Sequence, residues 1–495
     1  MDLHLITHWT PPAGRVVEWR VTERAADAAR SAPENPTAPS TIQERHLRRA
    51  AATAARGEMQ SPWIGLAFDI DRALDEQAMA RAIEAYLRRN ETLWSWFDFA
   101  DADGDPSDFG NRMRRHVIAP ESIEIEPREV DLPRTPEAVR DHVAHRFATA
   151  TSALAWPAFV IGAVEHPDGA GFTLFHAVDH AHTDLTSMAY TFTELRTLYD
   201  SEADGTGHDL REPGSYLEFS RRERARAAAL TTTSPEVEGW MEHLRAIGGA
   251  MPVFPLDLGT QGGPRPGIGT RVVLLDGPDS DRFTDVCRAN GGNFAGGVFA
   301  ALAVTERELA GRDRYFAMSP LSTRDSDDTE WSQGWYINLI PVGFPTGDAA
   351  TFTDLVKPAQ NSFRSGKELG AVSIQQAIET VVAERGVAAL SEFAGLTVPP
   401  IVSYMDGRRL PMSEEYEAAN ATGLVGGKDT TIASMWVNRM DHGTWIDISH
   451  PDTPQAHESV NRYGRRLSEI MTEVAREGDH RIIPADAPSG TEESR

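Results

Sequence analysis

Two histidines and two carboxylates crowd one short run, Asp179-His180-Ala181-His182-Thr183-Asp184. A neutral imidazole can take a proton from a hydroxyl or amine near neutral pH, and a carboxylate a few residues on can hold the loop that carries it. Two other readings stay open at this level. These can be histidines satisfied at a strand end. Alternatively, His176 and His180 have the i, i+4 spacing of a zinc-binding helix, but Val178-Asp179 stands where that motif needs its glutamate.

The elements around the run decide where those side chains can reach. Phe172, Leu174, His176, Val178 and His180 fall on one face of an extended segment, and Thr173, Phe175, Ala177 and Asp179 on the other. Apolar content on both faces predicts a strand inside a covered sheet. Beyond it, Leu185, Met188, Phe192, Leu195 and Leu198 recur at helical steps, with Thr183 or Asp184 as the cap. The titratable cluster therefore sits on a strand-to-helix connection held by rigid elements.

A chain of 495 residues is long enough for more than one core. Its formal charge of −26 argues against nonspecific nucleic-acid binding and against an anionic membrane surface. No apolar run reaches membrane-spanning length, and the N-terminus lacks a signal peptide's basic start and apolar core. The single cysteine, Cys287, allows no internal disulfide, and a reducing cytoplasm is the expected location. A buried inert thiol is the expected state of Cys287.

Strand and helix patterns alternate on both sides of a boundary expected between Asp200 and Pro235. The expected division is residues 1–230, residues 231–480 and a polar tail over 481–495. Ala26 to Pro39 reads as an Ala/Pro/Ser-rich loop and Gly259 to Gly269 as a mobile Gly/Pro-rich one. Periodicity predicts helices over Asp75–Asn90, Glu137–Ala150, Tyr216–Ala229, Phe294–Leu309 and Glu458–Arg476. The fold class is α/β in two halves, without a Rossmann fingerprint.

Several motifs, each weak alone, occur in one order. Ser40-Thr41-Ile42-Gln43-Glu44-Arg45-His46-Leu47 resembles S-x-A-Q-x-R-L/M, and Arg89-Asn90-Glu91-Thr92-Leu93-Trp94-Ser95-Trp96-Phe97 resembles R-H-E-x-L-R-x-x-F. The central run is similar to H-H-x-x-x-D-G, and Tyr216-Leu217-Glu218-Phe219 to Y-x-D-F. Arg324, then Gly334-Trp335-Tyr336-Ile337-Asn338-Leu339-Ile340-Pro341, resembles an arginine followed by G-x-F-x-N-x-x-P. Together they resemble the condensation domains of nonribosomal peptide synthetases and the polyketide-associated (Pap) acyltransferases, in the chloramphenicol acetyltransferase-like superfamily. The chain departs from the pattern at Asp179, where the family has histidine, at Leu185, where it has glycine, and at Asn90 and Trp94.

The resemblance implies two acetyltransferase-like lobes in a V-shaped pseudo-dimer with a tunnel between them. It implies His180 as general base. It assigns Asp184 and Arg324 to a structural pair, with Asp179 and His182 as further support of the loop. Trp335, Tyr336 and Asn338 become candidates for lining the tunnel or bracing the lobes. Apart from the resemblance, a hydrogen-bond donor should face the developing oxyanion, and Ser403 is the candidate for it, with a merely structural serine as the alternative. The implied reaction moves an acyl group from a CoA or carrier-protein thioester to a hydroxyl or amine, in natural-product or lipid biosynthesis. It implies no permanently bound cofactor and no metal, a monomer, and a carrier protein docking in trans if the donor is carrier-bound. A noncatalytic recruitment module on the same fold is the alternative, suggested by Asp179 and Leu185.

Overall fold

The computed structural model describes residues 2–57, 62–248, 251–324, 326–393, 395–396 and 401–483. It divides into two compact units. The first comprises residues 1–229, 323–337 and 409–427; the second comprises 230–322, 338–408 and 428–495. The first long segment ends within the interval expected for a boundary. The halves are nevertheless not contiguous in sequence, which corrects the single division at residue 230. Two later segments return to the first unit for physical reasons: one supplies a strand to its sheet, and the other supplies Arg324 to a buried carboxylate.

The first unit is built on a seven-stranded sheet. Its order is Asp2–Leu5, Thr422–Val425, Trp63–Ile70, Phe172–Asp179, Phe159–Glu165, Val16–Val21 and Ile125–Val130. Neighbours are antiparallel except Asp2–Leu5 with Thr422–Val425, which run parallel. The Phe172–Asp179 strand lies at the centre, and all eight of its residues are buried. Its alternation divides the core. Phe175 packs towards Phe147 of the Pro136–Ala150 helix, with Trp63 on the same side. On the other face Phe172 meets Tyr199 of the Leu185–Asp204 helix, and His176 meets Tyr86 of the Glu76–Arg89 helix. A central strand packed on both faces is a rigid mount for whatever follows it.

The second unit has a five-stranded sheet in the order Val402–Asp406, Ser434–Met440, Gly443–Pro451, Arg265–Asp276 and Asp429–Thr430, with a separate two-stranded pair, Arg314–Ser322 and Ile337–Pro345. The Phe294–Ala310 and Pro454–Glu477 helices supply much of its core, including Val298, Phe299, Leu302, Leu467 and Ile470.

Two stretches read as loops form regular elements. Overlapping the start of 26–39, a helix runs Glu23–Arg30, capped by the Thr22 hydroxyl on the Ala25 N–H and anchored by buried Ala25 and Ala29. Alanine is the best helix former, so Pro33 and Pro36 dominate the local composition without touching this helix. The Gly/Pro-rich run at 259–269 enters a strand at Arg265, because Gly267 to Gly269 pair with Pro451 to Ser449 on the neighbouring strand. The polar tail begins later than residue 481. The Ile482 N–H bonds to the Ala350 carbonyl and the Ile483 N–H to Glu308. Residues 484–495 of that expected tail lie outside the described residues.

Candidate active site

The central strand stops at Asp179, and the chain turns through a single 3₁₀ turn, His180–His182, into the Leu185–Asp204 helix. The turn is pinned from three sides. The His180 N–H bonds to the Pro62 carbonyl at 2.9 Å. The Gln43 side chain donates to the Ala181 carbonyl at 2.6 Å. Asp179 caps the turn by accepting the Ala181 N–H at 2.8 Å. Gln43 belongs to the helix capping box that Ser40 opens, so the first motif of the chain grips the central one. Behind Gln43 lies the fully buried Arg115, which reaches the Gln43 side-chain oxygen, Ser95 and the Thr37 carbonyl. Burial pulls its pKa down to about 10.

His180 is half-buried. Its Nδ1 lies 2.8 Å from the Thr183 carbonyl. A carbonyl only accepts, so Nδ1 carries the proton and Nε2 keeps a bare lone pair. The ring stacks on Trp335 with centroids 3.8 Å apart and planes 22° apart. Burial, and then the nearby charge of His46, hold its pKa down at about 4. The ring is therefore neutral at physiological pH, which is the form a general base requires.

His182 does not share that position. It is fully buried, with Nδ1 3.0 Å from the Thr92 hydroxyl and its ring beside Phe97. Burial lowers its pKa to about 4. His176 is also fully buried; its Nδ1–H donates to the Val160 carbonyl at 3.2 Å. It lies on the strand, not on a helix, so the i, i+4 spacing with His180 brings no two ligands together. Among the described residues no group of three His, Cys, Asp or Glu side chains could hold a metal ion.

Asp184 is held in a knot of donors. Arg324 grips it with two N–H groups, at 2.8 and 3.2 Å, and both side chains are almost wholly buried. The Ser187 N–H at 2.7 Å and the Tyr336 N–H at 2.9 Å complete its shell. Burial would raise this carboxyl's pKa, but Arg324 and the two backbone donors outweigh it and hold the group below the usual carboxylate range. Arg324 also reaches the Ser187 hydroxyl and the Ser332 carbonyl, and its guanidinium lies over the Tyr336 ring.

That knot positions Trp335. Gly334 has φ +154°, and a Cβ there would fall 2.2 Å from the Tyr216 ring, so only glycine fits. Tyr336 is fully buried and its hydroxyl donates to Ser332, so it is a brace and not a wall of any open site. Tyr216 donates to the Trp335 carbonyl and contacts the Ser40 hydroxyl. Of the remaining candidates, Asn338 donates to the Gly370 carbonyl. Ser403, half-buried opposite Trp436, makes no side-chain hydrogen bond among the described residues.

Two departures from the motif pattern meet each other. His46 stands where the first motif has leucine or methionine, and Asp179 where the central one has histidine. Their side chains touch, His46 Nε2 to Asp179 Oδ1, at 2.7 Å. His46 has no assigned role in the motif pattern; the paired departures at His46 and Asp179 are the signal in the sequence that points to it. Leu185, in place of the family glycine, is the first residue of a regular helix and needs no unusual backbone angle.

The sequence profile of the condensation domain family matches residues 41–386. Acyltransferase PapA3 of Mycobacterium tuberculosis is 31% identical over 495 residues, 98% of each chain. The chain belongs to the condensation-domain family, among its Pap acyltransferases. Trehalose-2-sulfate acyltransferase PapA2 of M. tuberculosis is 31% identical over 475 residues, 94% of this chain and 96% of that protein. A solved PapA2 acyl transferase matches with a TM-score of 0.86 at 29% identity, covering 96% of this chain and 100% of the other. The fold is thus that of the Pap and condensation enzymes, and the activity is acyl transfer. Among the described residues no helix is long and apolar enough to cross a membrane.

Arg324→Ala would leave the Asp184 carboxylate buried without its counter-charge. Urea denaturation should read a loss of about 3–5 kcal/mol, and unchanged stability would contradict the assignment. The buried histidines give a second expectation. His176 and His182 have folded pKa values near 4, below the ordinary 6.5, so the unfolded chain binds protons that the folded one refuses. Stability should be highest above pH 6.5 and fall as pH drops towards 4. His176→Leu should flatten that fall in urea titrations at pH 7.5 and 5; an unaltered slope would count against it.

Proposed function

We propose that the protein moves an acyl group from a thioester, on CoA or on the phosphopantetheine arm of a carrier protein docking in trans, to a hydroxyl of a small-molecule acceptor. His180 is the general base. The observation that carries this reading is its tautomer: Nδ1–H is committed to the Thr183 carbonyl, so Nε2 is the free acceptor.

The step is direct. Nε2 takes the proton of the acceptor hydroxyl while its oxygen attacks the thioester carbonyl carbon. The tetrahedral intermediate collapses, the C–S bond breaks, and the imidazolium returns the proton to the leaving thiolate. The products are an ester and a free thiol. A base with a pKa near 4 is weak, so the imidazolium needs help during its short life. The Thr183 carbonyl and the face of Trp335 supply it, the latter as a cation–π contact that strengthens when the ring becomes charged. No acyl-enzyme is required. Burial pushes the Cys287 thiol up to about 12, which makes it a poor nucleophile.

A hydroxyl acceptor is favoured by kinship. The relative PapA2 is named for trehalose-2-sulfate, a sugar derivative. We extend the class, a sugar-like polyol, to this chain.

His180→Ala should lower turnover by about 10²–10⁴, the worth of a positioned base. Steady-state assay of ester formation from an acyl-CoA would measure it, with circular dichroism to verify folding. A folded His180→Ala protein with wild-type turnover would refute the base and leave substrate positioning as the main effect.

A further inference from the structure

Asp179 and His46 form a second polar unit beside His180. Asp179 is 2% exposed, and its oxygens accept three N–H groups: His46 Nε2 at 2.7 Å, Ala181 at 2.8 Å and Ala153 at 3.2 Å. Burial acts to raise its pKa, but His46 and the Ala181 N–H outweigh it, so the group stays ionised. An ionised carboxylate can only accept, and Nε2 of His46 must therefore carry a proton. The other nitrogen, Nδ1, makes no hydrogen bond to any described residue.

His46 is not remote from the reacting base. Its ring centroid lies 6.3 Å from that of His180, with planes 64° apart. Both rings contact Trp335, His180 on its face and His46 edge-on at 5.2 Å. The His46 side chain is 9% exposed, and His180 is half-buried. Each ring thus has one nitrogen tied to the protein and one left over. The two uncommitted nitrogens belong to rings close enough for neighbouring oxygens of one molecule to reach both, each with a hydrogen bond of about 2.8 Å.

We propose that His46, oriented by Asp179, binds the acceptor through a second oxygen, the one beside the hydroxyl that His180 deprotonates. The acceptor class that fits is a vicinal diol, as in a sugar ring, and a lone alcohol satisfies only half of the site. This rests on the reading of His180 as base and adds the residue that selects the acceptor. The pairing explains why Asp179 is compatible with the site: it is the orienting group of a second imidazole.

The test compares acceptors and variants together. Ester formation from a long-chain acyl-CoA is measured with trehalose and with deoxytrehalose lacking the hydroxyl next to the acylated one. Wild type should prefer trehalose by about 10- to 100-fold in kcat/KM, the worth of one good hydrogen bond to a substrate oxygen. His46→Leu should abolish that preference, with the loss mainly in KM for trehalose, and His46→Gln should recover part of it. A merely structural role would lower both acceptors alike and leave their ratio intact. Because His46→Leu strands Asp179, the double variant His46→Leu/Asp179→Asn is the companion if the single one fails to fold. An active wild type whose preference survives in a folded His46 variant would overturn this proposal and leave the base intact. Wild type that acylates neither sugar would overturn the acceptor class itself, and a fully active His180→Ala protein would instead remove the base.

Discussion

One buried carboxylate governs the local geometry. Asp184 has left water, and a carboxylate there is tolerable only when its charge and lone pairs are met. It meets them with a guanidinium fork and two backbone N–H groups drawn from two separate stretches of chain, the first turn of its own helix and the 323–337 segment. The consequence is positional. The helix beginning at Leu185 is fixed at its first turn, the 332–336 run is held against it, and Trp335 is delivered to the face of His180. The requirement also explains why residues 323–337 belong with the first unit despite their distance in sequence.

A second constraint is the direction of the His180 ring. A histidine on a loop has two tautomers and several rotamers, and only one combination presents a usable lone pair. Here the Thr183 carbonyl selects the tautomer, Trp335 holds the plane, and the pinned turn fixes the backbone. A related device occurs one ring away, where Asp179 holds the Nε2–H of His46. In the proposed reaction these two imidazoles, oriented by different acceptors, would divide the work between deprotonating one oxygen and binding its neighbour.

Much of this was legible in the sequence because it follows from periodicity and residue chemistry. The alternation from Phe172 to His180 marked a strand buried on both faces, and the helical steps after Leu185 marked its exit. The spaced motifs at Ser40, Arg89, Tyr216, Arg324 and Gly334 named side chains that converge on one turn. Other features were hidden by their physics. The Glu23–Arg30 helix is short and alanine-rich, and its two buried alanines carry little pattern. The strand entered at Arg265 is defined by its partner, which lies far along the chain. The return of 409–427 to the first unit depends on sheet pairing that no local rule reports. His46 was concealed most completely, since a lone histidine on a helix gains meaning only when its partner's position is known.

The central claim is that His180 is held neutral with its proton on Nδ1. Nitrogen NMR of histidine-labelled protein, with His180→Ala to assign the signal, measures this directly. The expected result at pH 7 is a neutral ring with Nδ1 protonated and Nε2 bare, and no second proton until the pH approaches 4. A ring protonated on Nε2 at pH 7, alone or together with Nδ1, would contradict it.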